Sequence, residues 1–358
     1  MNAGNFSEFT DQRSQFLPQE SVKPVRQRTV WLNLGGAVAL LLAINLAVDG
    51  LLTHFTTNRG YFLARRKWEL LAALQQPVDW LVLGDSSCNQ GVMPEILSDR
   101  LGGTALNLCT FGPMLTLDNV WMLEQHIRQV GAPRHVIIVQ VYDIWHREID
   151  EESISLMAQI PDLDTKRSTL EPALSLNQED RIKLFLHRYV PLYTASETIE
   201  DWMREPLASY RYLQELTLTE NGFMPFEETN PGEVQADSQR HQEFVQNERF
   251  QVSDINRRSL HHLRHLADTH GIEVYFAASP LYSGLYESPD LRAYYRQMNR
   301  WLEDFAATSD RLHLVLQEPV TFEAHQMQNA DHVAPAAAAI YTQHLAMEIL
   351  NSQLANAP

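Results

Sequence analysis

Val78-Asp79-Trp80-Leu81-Val82-Leu83-Gly84-Asp85-Ser86-Ser87-Cys88-Asn89-Gln90-Gly91 is the stretch whose reading decides the fold. An apolar run rich in β-formers breaks at Gly84-Asp85-Ser86, and a helical pattern starts at Pro94 with Glu95, Ile96, Leu97 and Leu101. The order is strand, tight turn, helix. A serine on the turn leaving the carboxyl end of a parallel strand projects at the sheet edge where open α/β sheets bind ligands. Its backbone N–H stands at a helix N-terminus and is suited to stabilising a developing oxyanion. Three residues make a short motif, so its weight rests on what other loops bring to the same edge.

Outward from that turn, strands alternate with helices. Residues 104–108 predict a second strand, running into Asn107-Leu108-Cys109-Thr110-Phe111-Gly112-Pro113. Val120, Leu123, Ile127 and Val130 predict a helix over 117–130, with Gly131 as its stop. The unbroken apolar run from His135 to Val141 is of the kind buried inside parallel sheets. Ser253 caps a helix ending at Gly271, strands follow at 272–278 and 312–316 with a helix over 291–307 between them, and Pro335 opens a last helix to about residue 350. Such alternation predicts right-handed crossovers and one parallel sheet, an α/β fold. Residues 145–250 depart from the pattern: acidic, helix-prone, and broken at Pro161, Pro191, Pro206 and Asn230-Pro231-Gly232. They read as an insertion over the strand ends, not a second core.

The chain has 358 residues and a formal charge of -17, so no basic stripe is available for nucleic acid. Residues 1–29 read as a polar, disordered tail. Residues 30–52 are apolar over about the length a helix needs to cross a bilayer, blemished by Asn33, Asn45 and Asp49. Lys23, Arg26 and Arg28 precede the run and place the tail in the cytoplasm by the positive-inside rule, whereas Arg59, Arg65, Arg66 and Lys67 beyond it weaken that assignment. A cleaved signal peptide would need a small-residue site after the run, and none is evident; a buried core helix is the plain alternative. The expectation is one uncleaved anchor, a connecting amphipathic helix within 53–77, and a globular part over 78–358 outside the cytoplasm.

Serine nucleophiles need a base within hydrogen-bond reach and usually a carboxylate to orient it. Asp331-His332 falls on the loop between the last strand and the last helix, on the same sheet edge as Ser86 in a doubly wound fold. The chain has fourteen histidines, so a histidine near some serine carries little information. One on that particular loop carries more.

These positions resemble the SGNH/GDSL hydrolase superfamily. Gly84-Asp85-Ser86 is similar to its first block, Asn107 to Gly112 to its second, and Asp331-His332-Val333 with the following Ala-rich helix to its last. The resemblance implies a three-layer, flavodoxin-like sheet with helices on both faces. Ser86 would be the nucleophile, His332 the base and Asp331 its partner, with the N–H groups of Ser86 and Gly112 forming an oxyanion hole. Asp85, Asn107, Asn329 and Tyr142 would bind substrate or orient loops, and Asn89 would orient the loop. Two positions depart from the pattern. Tyr142 stands where the third block has its oxyanion asparagine, and Asn329 stands three before His332, where the last block has aspartate. Asp331 would then orient His332 from the adjacent position, or the pair would work as a dyad. An Asn can hold the imidazole tautomer but stabilises imidazolium less well.

An anchor followed by such a domain is similar to the DltD-like and envelope-polysaccharide O-acyltransferase branch. That likeness implies an acyltransferase or esterase of a bacterial inner membrane with a periplasmic domain. It would act on a cell-envelope glycan or lipid through acyl-Ser86, beside a multipass membrane-bound O-acyltransferase and without a cofactor. The alternative is a catalytically inactive binding or assembly subunit, for which Tyr142 and Asn329 speak. Cys88 and Cys109, the two cysteines, fall beside Ser86 and in the second-block loop, so they form a disulfide pinning those loops or are two small buried hydrophobes. His261, His262 and His265 lack the glutamate and third ligand of a metal site and read as a solvated helix face. Trp145-His146 and Tyr282–Tyr286 would line an acceptor cleft or belong to core and rim.

Overall fold

In the computed structural model, residues 27–55, 59–158, 177–194, 199–200, 203–204, 218–226 and 229–355 are described. The chain divides into two units, Met1–Ala47 and Val48–Pro358. The helix Gln27–Phe55 contains Val30–Val48, a stretch long and apolar enough to cross a membrane, with a mean hydropathy of 1.9 and none of its residues buried. Trp31, Leu32, Leu40 and Leu46 are all exposed on it. Residues 1–26 of the expected tail, and much of the expected insertion, lie outside the described residues.

The second unit is built on five parallel strands: β1 (Trp80–Gly84), β2 (Ala105–Asn107), β3 (His135–Gln140), β4 (Glu273–Ala278) and, after the two-residue β5 (Leu281–Tyr282), β6 (Leu312–Leu316). Their order is β2-β1-β3-β4-β6, which is the flavodoxin-like order with its switch point between β1 and β3. Alternate residues along a strand face opposite sides, and both sides are apolar here. Leu81, Leu83, Val136, Ile138, Val274 and Phe276 enter one core, with the helices Leu115–Val130, Asp254–His270 and Pro289–Ala306. Trp80, Val82, Ile137, Val139 and Tyr275 enter the other, with Pro94–Leu101 and Pro335–Ala355. The continuous apolar runs noted in the sequence are the consequence: a strand covered on both faces has no polar side to show.

Two local differences from the sequence expectation stand out. A short helix, Ser86–Gly91, begins immediately at the serine instead of at Pro94, because the Asp85 side chain accepts from the N–H groups of Ser87 and Cys88 and caps it. Val92 and Met93 are extended, as suits the residue before a proline, and Pro94 starts the next helix. A two-stranded parallel sheet, β5 with β7 (Thr321–Phe322), lies outside the main one; its strands are too short to show an alternation. Gly84 is required by close approach, since a Cβ there would fall 1.8 Å from the Val139 carbonyl oxygen.

Lys67 also differs from the expectation. Read as one of several cations beyond the membrane segment, it is buried, and its ammonium donates to the Asn107 and Gly222 carbonyls at 2.9 and 2.5 Å and to Asn107 Oδ1 at 3.1 Å. Burial pulls its pKa well below that of an ordinary lysine. It is a structural tie between the helix Arg59–Ala73 and the end of β2, so it drops out of any count of surface charge.

Candidate active site

A cavity of about 440 Å³ opens at the carboxyl ends of the strands, lined by Ser86, Phe111, Gly112, Pro113, Arg147, Glu152, Leu156, Asp237, His241, Asn329, Asp331 and His332. Ser86 comes from the β1 turn, Gly112 from the loop after β2 and His332 from the loop before the last helix. Three distant segments converge because strands of one parallel sheet release their loops at one edge.

Ser86 is the first residue of its helix and half-buried. Among the described residues no acceptor receives the N–H of Ser86 or of Gly112, so both donors remain for a ligand. The Ser86 hydroxyl and His332 are not hydrogen-bonded to each other; nucleophile–base contacts often tighten only once substrate is bound. Asp85 does not reach the cavity. It is buried, and besides capping the helix it accepts from the Val141 N–H at 2.7 Å, so one carboxylate ties the Ser86 turn to the loop after β3. Burial raises its pKa against those donors.

His332 Nδ1 lies 2.7 Å from Asn329 Oδ1 and 2.7 Å from Asp331 Oδ1. The asparagine also accepts from the backbone N–H groups of Asp331 and His332, at 3.1 and 2.8 Å. It folds the loop and receives the imidazole at once. Burial works against charge on both members of the Asp331–His332 pair, but their mutual attraction prevails, holding the carboxyl well below its usual range and raising the imidazole above its own. The neutral Nε2 is thereby made the more basic.

Tyr142 does not line the cavity. Its ring is buried against Tyr294, Tyr295 and Phe244, and its hydroxyl lies 2.6 Å from His241 Nδ1. Asn107 is buried as well. Its amide donates to the Cys88 and Val92 carbonyls and its Oδ1 accepts from the Cys109 N–H, locking the second loop to the helix Ser86–Gly91. The Cys88 and Cys109 sulfurs are bonded to each other beside it. Asn89 is buried and contacts Met224, not the cavity. Trp145 sits in the core, Tyr282 bonds Gln235, and Tyr286 packs on Tyr295, so none of these aromatics lines the cavity.

Five cavity residues, Arg147, Glu152, Leu156, Asp237 and His241, come from the segment read as an insertion. Asp237 and His241 are one helical turn apart on Pro231–Asn247, a spacing visible in the sequence, but nothing there told which way that helix faces. With Asp331 they form the group, among the described residues, whose donor atoms lie near enough to share a cation, all within 4.8 Å. Those atoms are already engaged. Asp237 accepts from the Ala330 N–H and lies 3.5 Å from His241 Nε2, His241 meets Tyr142, and Asp331 meets His332. Burial opposes the charge of His241, yet Asp237 and Asp331 raise its pKa. The cluster therefore reads as an ion-pair network in the cavity wall.

No protein-family model and no curated protein matches the chain. Among solved structures, one described as "The structure of a putative platelet activating factor from Streptococcus pneumonia" is similar to it over 85% of this chain and 96% of that one, with 12% identity and a TM-score of 0.36. A likeness that distant bears on neither activity nor substrate.

Proposed function

We propose that the chain is a membrane-anchored serine acyltransferase or esterase of SGNH type, acting on a cell-envelope glycan or lipid through an acyl-Ser86 intermediate. One observation carries the reading: Ser86, Gly112 and the Asp331–His332 pair, far apart in sequence, line the same cavity. His332 takes the Ser86 proton as Oγ attacks the ester carbonyl. The Ser86 and Gly112 N–H groups face the oxygen that becomes negative, and His332 returns the proton to the leaving alcohol. Water or a sugar hydroxyl then deacylates Ser86 by the reverse sequence.

In this reading residues 30–52 anchor the chain, the tail is cytoplasmic and the domain lies in the periplasm. A disulfide between Cys88 and Cys109 suits such an oxidising compartment. The DltD-like branch, with a multipass O-acyltransferase as acyl donor, is the specific form proposed. The test is labelling of full-length protein with a fluorophosphonate, alongside turnover of 4-nitrophenyl acetate. Both should disappear in Ser86→Ala with the melting temperature nearly unchanged. An unlabelled wild type without turnover would favour an inactive binding subunit instead.

A further inference from the structure

We propose that Arg147 supplies the third oxyanion donor of this site, in place of the side chain at position 142. The inference rests on the acyl-Ser86 reading. Tyr142 is not available for the role, because its ring is buried in an aromatic cluster and its hydroxyl is taken up by His241.

Arg147 is placed for it. Its Nε and Nη2 both reach Asp143 Oδ2, at 3.3 and 2.6 Å, which fixes the plane of the guanidinium from one side. Nη1 has no hydrogen-bond partner among the described residues, and it lies 2.5 Å from where a Cβ on Gly112 would be. The uncommitted end of the cation is thus packed directly over Gly112, and both residues line the cavity with Ser86. The absence of a side chain at Gly112 admits Nη1. Its fixed partner, free donors and location together describe a group preorganised for negative charge, and a donor of this kind acts most strongly on charge that develops only in the transition state.

As Ser86 Oγ bonds to the carbonyl carbon, the carbonyl π pair moves onto its oxygen and the hydroxyl proton passes to His332. Nη1–H, Ser86 N–H and Gly112 N–H converge on that oxygen. The charge returns to the C=O bond as the leaving alkoxide departs with the proton from His332. Arg147 gives up no proton.

The experiment measures 4-nitrophenyl acetate hydrolysis by full-length protein in detergent, comparing wild type, Ser86→Ala, Arg147→Gln, Arg147→Lys and the double variant Arg147→Gln/Asp143→Asn. The double variant leaves no unpaired buried carboxylate, so it separates loss of a donor from loss of the fold. Removing one oxyanion donor typically lowers kcat about 10²–10³-fold. Arg147→Gln and the double variant should both show that loss, with KM within about threefold and unchanged melting. Arg147→Lys should recover part of it, because an ammonium keeps the charge but not the two-point hold on Asp143. Wild-type kcat in the double variant, with Ser86→Ala inactive, overturns the role of Arg147 and leaves the serine mechanism standing. A large rise in KM at unchanged kcat makes Arg147 a ground-state binding residue and overturns the inference too. Turnover that survives in Ser86→Ala, or is absent from wild type, removes both readings.

Discussion

Asp331→Asn is a sharp test of how His332 is held. In the usual triad, replacing the carboxylate by an amide turns the imidazole to the wrong tautomer and costs about 10⁴ in kcat. Here the ring has a second acceptor. Asn329 Oδ1, also 2.7 Å from Nδ1, remains when Asp331 is changed, so the tautomer is kept and only the charge is lost. A hydrogen bond to a charged partner contributes roughly 1.5–3 kcal/mol and a neutral one roughly 0.5–1.5. The difference, about 1–2 kcal/mol, corresponds to roughly 5–30-fold in kcat/KM.

The pH profile gives a second reading of the same change. Burial would depress His332, but Asp331 first, then Asp85 and Asp237, raise it above 6.5. The base works unprotonated, so wild-type kcat/KM should fall on the acid side with a midpoint above that of an ordinary histidine. In Asp331→Asn the midpoint should move to lower pH. The deficit is then largest near pH 8 and shrinks toward pH 6, where the less basic imidazole is the more often neutral. Asn329→Ala/Asp331→Asn should restore the full loss of about 10⁴. Esterase profiles from pH 5 to 9 decide the matter. A 10⁴-fold loss in Asp331→Asn alone would refute the backup role of Asn329, and a loss below twofold would refute any role for Asp331.

Two further outcomes follow from buried groups near the site. Reduction of Cys88–Cys109, or Cys88→Ser/Cys109→Ser, should destabilise the folded domain by about 3 kcal/mol on the chain-entropy estimate for a loop of this length. Urea denaturation with and without reductant measures it. Asp118 is buried and accepts from Thr110 Oγ1 at 2.7 Å and Trp68 Nε1 at 3.3 Å, and burial raises its pKa to about 6. A carboxyl with a raised folded pKa favours the fold below its unfolded value and loses that advantage as pH climbs through the folded one, here about 3 kcal/mol between pH 4 and 6. Asp118→Asn should therefore gain on wild type by about that amount between pH 4 and pH 8. Parallel stability curves for the two proteins would contradict it.

The sheet was legible because its signal is local and strong. Runs such as 135–141 have no polar alternation, and their order with the intervening helices leaves few topologies open. Ser86 and His332 were legible for a related reason: each is adjacent to a strand or helix end whose position in a doubly wound sheet is fixed by order alone. The same logic failed for side-chain direction. Tyr142 occupies the expected place in the chain, yet its ring turns into an aromatic cluster formed by residues about 100–150 positions away. Asp85 was read as binding substrate or orienting loops, and the sequence left the two open; capping and the Val141 N–H take up its carboxylate in the second way. Arg147, Asp237 and His241 were missed because irregular, acidic segments have no periodicity from which a facing direction can be read.

That failure bears on how the cavity works. The strand edge supplies Ser86, Gly112 and His332, the groups that the proposed acyl transfer uses. The irregular segment supplies most of the additional charge: Arg147 just after the turn Ile144–His146, Glu152 on the helix Glu151–Ala158, and the Asp237–His241 pair on Pro231–Asn247. Asp331 is acted on from both sides, by His332 in its own loop and by His241 and Arg147 from the segment, all of which favour its ionised form against burial. Ionised Asp331 in turn is what raises His332 most. The basicity of the imidazole is therefore set jointly by the sheet edge and by the segment packed over it. Changes at Asp237 or His241 should accordingly move the pH midpoint of an activity whose reacting groups they do not touch.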